Sequence, residues 1–151
     1  LTNSDFFAKM EHPDSLSIIG SGAIAIEFSQ ILATLGVKIN LFVRGDKILK
    51  NIDKEASKFL FEVLNKDTNI NLILNSDIQR VDKEEDELKI TYIQDNQIKT
   101  IKSKKVLSAA GRVANIDNLK LENVDVKYTN HGIIANKHLA TSNQNIYANG
   151  D

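Results

Sequence analysis

A chain of 151 residues, 42% hydrophobic and 26% charged, carries enough apolar material for one domain with a real core. Its net charge of −1 offers no basic surface for nucleic acid or an anionic membrane, and its lack of cysteine excludes disulfides, thiolate metal sites and cysteine chemistry carried by the chain itself. With no apolar run long enough to span a bilayer and no signal peptide in view, a cytoplasmic or organelle-matrix setting is expected.

Residues 1–14 hold no clear element beyond a candidate capped turn at Ser4-Asp5-Phe6-Phe7 and a turn at Pro13-Asp14. The run Leu16 to Ile19 reads as a strand, stopping at Gly20-Ser21-Gly22-Ala23-Ile24-Ala25. A helix is predicted from about Ala23 to Leu35, with an apolar face of Ile24, Phe28, Ile31, Leu32 and Leu35 and a stop at Gly36. Val37 to Val43 is nearly continuously apolar, as a buried parallel strand is, which completes a βαβ unit. After the polar loop at Arg44, a second helix is predicted over 53–65, capped by Asp53, with Ala56, Phe59, Leu60, Val63 and Leu64 on one face. A third strand follows at Asn71 to Leu74. The pattern then changes to period two: 78–81, 88–93 and 97–101 read as an antiparallel meander with turns at Glu84-Glu85-Asp86 and Asp95-Asn96. Val106 to Ala109 returns as a parallel strand, and the tail is loop-rich, with short strands near Ile133-Ile134 and at Ile146 to Ala148.

The strand, glycine turn and helix start at 16–27 form the context that the dinucleotide fingerprint requires. Gly20 permits the sharp turn, Gly22 lets the backbone approach a pyrophosphate, and Ala25 takes the third small position, where helix and strand pack closely. The helix N-terminus offers N–H groups and a positive dipole end to the phosphates, with Ser21 placed to donate a hydrogen bond. A turn with no ligand is the plain alternative. NAD-binding units place a carboxylate at the end of the second strand; here Val43 is followed by Arg44, with Lys50 close behind. An arginine fork suits a 2′-phosphate, so NADP(H) is expected over NAD(H). Two competing readings stay open: both cations are ordinary surface residues, or Asp46, slightly late in the loop, serves a ribose. Glu27, amid apolar neighbours, either faces the reactive end of a cofactor or is an exposed helix glutamate. His12, His131 and His138 lack metal-ligand spacing and read as surface residues, and the acidic run 82–87 reads as a solvated hairpin. No nucleophile constellation is present.

Three separated pieces then carry a resemblance. Residues 20–27 resemble the G-x-G-x-x-[GA]-x-E fingerprint of the flavin-dependent pyridine nucleotide–disulfide oxidoreductases, Ala109-Ala110-Gly111-Arg112 is similar to their A-x-G-R segment, and residues 146–151 resemble the I-Y-A-x-G-D that closes their flavin site. The resemblance implies an α/β, Rossmann-like nucleotide-binding domain over 15–112, with parallel sheet, helices and a three-stranded antiparallel meander. It implies a linker at 1–14 and a return segment toward a flavin domain at 113–151. The abrupt ends at Leu1 and Asp151 agree with a segment of a longer, homodimeric enzyme whose FAD domain, redox-active cysteines and small-molecule or protein disulfide substrate site lie elsewhere. It also implies that Gly20, Gly22 and Ala25 hold the pyrophosphate, and that Glu27 lies near the nicotinamide, paired with a lysine outside the chain. Gly111 approaches the cofactor by its backbone beside Arg112, and Asp151 bonds the FAD ribityl chain. Residues 42–50 look more like glutathione reductase than dihydrolipoamide dehydrogenase, with Arg44 and Lys50 on the 2′-phosphate. Ala23, where glutathione reductases usually place a tyrosine, and Ala114, where the family often has proline, are departures. An NAD-using dihydrolipoamide dehydrogenase and a non-catalytic nucleotide-binding module are the alternatives.

Overall fold

A computed structural model describes residues 12–150, which divide into two compact units, one ending at Gly111 and one beginning at Arg112. The turn expected at Ser4–Phe7 and the flavin contact expected at Asp151 lie outside the described residues.

The first unit runs β1 (Ser15–Ile19), α1 (Ala23–Thr34), β2 (Lys38–Phe42), α2 (Lys54–Lys66), β3 (Ile70–Ile73), β4 (Asp77–Glu84), β5 (Glu87–Gln94), β6 (Gln97–Ser103) and β7 (Lys105–Ser108). Four strands form a parallel sheet in the order β3-β2-β1-β7, while β4-β5-β6 form a separate antiparallel sheet. This is the expected Rossmann-like architecture, with the meander serving as the crossover from β3 at one edge to β7 at the other.

Strand alternation sorts the parallel sheet's side chains into two cores. Leu16, Ile18, Ile39, Leu41 and Leu107 pack against Ala25, Leu32 and Ala33 of α1 and Leu64 of α2. On the other side, Phe42 and Ile73 meet Ile90 and Tyr92 of the meander. Phe42 and Tyr92 pack edge to face, with centroids 5.1 Å apart; such a pair adds about 0.5–1.5 kcal/mol beyond simple burial. Ser17 is buried too, and is satisfied by the Ser103 hydroxyl, which donates to it at 2.9 Å.

The expected meander is present, with longer strands than the apolar pattern indicated. Its second turn holds Asp95 and Asn96 at φ +53° and +59°, the pair of positive values that a tight hairpin turn matched to strand twist requires. Glu84 ties the three strands together: its carboxylate accepts from Lys89 of β5 at 2.9 Å and pairs with Lys102 of β6 at 3.0 Å. The Lys89 hydrogen bond, then that of Lys102, holds the Glu84 pKa below its ordinary value. A depressed carboxylate pKa adds stability above the unfolded-state value that is lost as pH falls through the folded-state value. Thermal melts of Glu84→Gln against the parent should therefore show a small deficit at neutral pH that closes on acidification. A deficit independent of pH would assign the effect to packing instead.

Both helices bury part of the expected face, Phe28 and Leu32 in the first and Leu60 and Leu64 in the second, but are rotated away from the rest of it. In α1 the buried residues are Ala25, Ile26, Ser29, Leu32 and Ala33, while Ile31 and Leu35 stand 61% and 55% exposed. The small side chains let the helix lie close to the sheet, and Ser29 is buried without loss because its hydroxyl donates to the Ala25 carbonyl at 2.7 Å. In α2 only Leu64 is fully buried; Leu60 and Phe61 pack on the core, and Phe59 and Val63 face outward. Asp53 caps α2 as expected, accepting from the Glu55 and Ala56 N–H groups at 2.9 and 3.1 Å.

The second unit is mostly loops around Leu121 and Val126, with a 3-10 turn at Leu121–Val124 and a two-residue ribbon of β8 (Tyr128–Thr129) and β9 (Gly132–Ile133). The strand expected at Ile146 to Ala148 is reduced to a single bridge between Ala140 and Tyr147. Ser142 clasps the unit, donating to the Asp125 carbonyl at 2.7 Å and accepting from the Lys127 N–H at 2.8 Å.

Candidate functional site

The glycine turn sits where the strand order reverses, at the carboxyl ends of β1, β2 and β7. Gly20 has φ +148°, and a Cβ there would run into the Ala109 carbonyl just beyond β7. Its N–H donates to the Phe42 carbonyl at 3.0 Å, and the Ala109 N–H donates to the Ile19 carbonyl at 2.8 Å. Gly20 is therefore fixed by the fold itself. Gly22 is different. It is the N-cap of α1 with φ −86° and ψ 178°, extended backbone that any residue adopts, and a Cβ placed on it meets nothing within 4 Å. The space above it is open.

The start of α1 has no side-chain cap and no acidic residue in its first turn, in contrast to α2 with Asp53 and Glu55. Every helix start carries N–H groups without intrahelical partners and about half a positive charge. At α1 these groups have neither an internal acceptor nor a carboxylate beside them, which leaves the position suited to an external anion.

Beside this turn is a cleft of about 460 Å³, lined by Gly20, Ser21, Arg44 and Lys50. The two cations expected to act together thus face one space together with the glycine turn. The loop that carries them is tied down at several points. The Leu49 N–H donates to the Ser21 carbonyl at 2.7 Å, and the Asn75 N–H donates to the Gly45 carbonyl at 2.9 Å. The Lys50 ammonium group lies directly over Gly45, where a Cβ would displace it. Ser76 is buried and braces the end of β2: its N–H donates to the Val43 carbonyl at 3.1 Å, and its hydroxyl reaches the Ile73 and Val43 carbonyls at 2.9 and 3.1 Å.

The remaining expected site residues are not part of the cleft lining. Ala23 is exposed and Ile24 half-buried at the mouth of α1, while Ala25 is buried against the sheet. Val43 is fully buried in the helix-side core, with its N–H given to Ile73 and its carbonyl to Ser76; it supports the cleft wall from behind. Glu27 is exposed, one turn along α1. Gly111 has φ +143° and is exposed, with open space around it, and Arg112 begins the second unit. Asp46, the alternative ribose partner, is exposed and does not line this cleft. Ser76, Asp77, Ile78 and Ala110 do line it. Ala110 belongs to the Ala109–Arg112 segment, at its unspecified position, and the other three stand in no motif; the signal that could have found them is their position just past the carboxyl ends of parallel strands, where open α/β sheets bind ligands.

Among the described residues no helix is long and apolar enough to cross a membrane.

A family profile described as "Pyridine nucleotide-disulphide oxidoreductase" matches residues 1–151. Among curated relatives, a mercuric reductase of Staphylococcus aureus is 35% identical over all of this chain and 28% of its own length. A dihydrolipoyl dehydrogenase of Buchnera aphidicola is 35% identical over 99% of this chain and 32% of its own. A glutathione reductase of Nostoc sp. is 33% identical over all of this chain and 35% of its own. The chain thus spans about a third of the length of the relatives it matches. A solved structure of the HOCl-induced flavoprotein disulfide reductase RclA from Escherichia coli superposes with a TM-score of 0.87 at 24% identity, covering 99% of this chain and 33% of that one.

Proposed function

This chain belongs to the pyridine nucleotide-disulphide oxidoreductase family, and from that membership we propose that its cleft binds NADPH in a flavin-dependent disulfide reductase of glutathione reductase type. One observation carries the reading: an uncapped helix start with open space above Gly22 lies beside a cleft that gathers Gly20, Ser21, Arg44 and Lys50. In this reading the α1 N–H groups and the Ser21 hydroxyl hold the pyrophosphate, with Gly22 leaving room for it. Ala23, Ile24 and Ala25 form the first turn beneath it. Arg44 and Lys50 take the 2′-phosphate, positioned by the bonds that Leu49, Asn75 and Ser76 make to neighbouring backbone.

The domain's own work is to bind and orient. Residues 15–112 form the nucleotide-binding domain, residues 1–14 lead in from the flavin domain, and residues 113–151 lead back to it. Glu27 marks the nicotinamide end, where an exposed carboxylate is available to a lysine elsewhere in the protein. Gly111, with Arg112, approaches the cofactor by its backbone, and Asp151 bonds the FAD ribityl chain. When bound, the nicotinamide would supply a hydride to FAD, which with one proton from solvent provides the two electrons and two protons that turn a disulfide into a dithiol at a site elsewhere in a homodimer. A second reading, an NAD-using dihydrolipoyl dehydrogenase, is favoured by Asp46, exposed in the loop two residues past Arg44.

Calorimetric titration of the intact protein with NADPH and NADH at two salt concentrations tests the assignment. NADPH should bind more tightly, and its advantage should shrink as salt rises, because exposed charges more than about 10 Å apart are screened at 0.1 M ionic strength and nearer ones are weakened. Equal or tighter NADH binding would overturn the NADPH reading in favour of the dehydrogenase.

A further inference from the structure

A second cavity, of about 350 Å³, lies between the loop after β2 and the first two turns of α2. Its apolar lining comes from Ile48, which is buried, Phe61, which is half-buried, and Ile52, which remains 49% exposed. Around that lining stand Lys47, Lys50, Lys54 and Lys58, with Asp46 the one carboxylate. None of the four ammonium groups has an ion-pair or hydrogen-bond partner among the described residues. Lys54 and Lys58 are one helical turn apart on α2, a spacing at which like charges repel.

We propose that this cavity binds an amphipathic monoanion, a medium-chain carboxylate, with its tail on Ile52 and Phe61 and its head group among the lysines. A bare phosphate would leave the apolar lining wet, and a neutral hydrocarbon would leave the lysines unneutralised; only a ligand with both parts answers the whole surface. The volume sits at the small end of the range of about 300–1,000 Å³ that encloses small ligands. Lys50 borders both this cavity and the nucleotide cleft. Occupancy therefore draws Lys50 from the 2′-phosphate and weakens NADPH more than NADH, a consequence that rests on the nucleotide assignment above.

The test is calorimetry of the intact protein with decanoate, with decanol as the uncharged control. Saturable one-to-one binding of decanoate, at least about tenfold tighter than decanol, is expected. Lys54 and Lys58 are exposed, and glutamine keeps the helix propensity of lysine while removing the charge, so the Lys54→Gln/Lys58→Gln double variant should fold. It should lose at least about tenfold in decanoate affinity while keeping its melting temperature and its nucleotide binding. No saturable binding, equal binding of decanol, or equal binding by the folded double variant would each overturn the site. NADPH titrated without decanoate judges the nucleotide reading independently. Unchanged NADPH affinity in saturating decanoate, where NADPH binds normally without it, would overturn the coupling through Lys50.

Discussion

Replacing Arg44 by alanine is expected to remove most of the preference for NADPH over NADH, by about 1–3 kcal/mol or roughly 5- to 150-fold. Arg44 is exposed at the end of β2 and lines the cleft beside Lys50 and the glycine turn. Its guanidinium offers a planar fork to a phosphate, whereas NADH presents only a hydroxyl at that place. The loss should therefore fall on NADPH and leave NADH nearly unchanged. Arg44→Lys should recover part of it, since charge remains while the two-point geometry is gone. Paired titrations of the three proteins decide the matter. Equal losses for both nucleotides would mean that Arg44 shapes the loop and does not read the phosphate.

Exchanging the two glycines for alanine should separate folding from binding. Gly20→Ala must place a methyl group against the Ala109 carbonyl from a backbone at φ +148°. Backbone strain of about 1–3 kcal/mol and a similar overpacking cost combine there. A loss of about 2–6 kcal/mol is expected, read as a lower denaturation midpoint, and it strikes the junction of β1, β2 and β7. Gly22→Ala has extended φ and ψ and open space around its Cβ. Its stability should stay within about 1 kcal/mol of the parent, alanine being a poorer N-cap than glycine but losing less entropy on folding. Dinucleotide affinity should nonetheless fall by at least about tenfold, because the methyl group occupies the space a pyrophosphate needs. A Gly22→Ala protein that binds normally would remove the helix start from the site.

These two positions also show how the sequence could be read and where it could not. The strand, turn and helix at 16–27 were legible because glycine spacing and a change of period mark them locally. The meander was legible from the alternation of Leu88, Ile90 and Tyr92 and from Asp95-Asn96, whose tolerance of positive φ suits a tight turn. The buried faces of the helices were legible only in part, through Phe28, Leu32, Leu60 and Leu64. In α1, large apolar residues at helical spacing pointed to Ile31 and Leu35, but the sheet is contacted through Ala25, Ser29 and Ala33, whose smallness permits close approach. A hydrophobic count undervalues small residues at such a seam. In α2, Leu60 and Leu64 of the expected face pack on the core, but Phe61 joins them in place of Phe59 and Val63; the Ser57 hydroxyl, donating to the Ile48 carbonyl at 2.8 Å, fixes that rotation. Arg44 and Lys50 could be named from the loop after β2. Ser76, which braces that loop from the end of β3, could not, because its partner Val43 is brought to it from 33 residues away by sheet register and not by any local pattern.

The sheet order has a temporal side. β1 lies between β2 and β7, and its β7 neighbour pairs Leu16 with Lys105. A growing chain adds about 5–20 residues per second, so one side of β1 waits on the order of 10 s for its partner to be synthesised. For that interval the backbone N–H and C=O groups along this side of Ser15–Ile19 form an open edge, the kind that templates pairing with a foreign strand. The intervening meander is built from local hairpins, which form in microseconds once made. It is therefore in place before β7 emerges, and Ser103 at its end, bonded to Ser17, is positioned to lead β7 directly into the waiting groove.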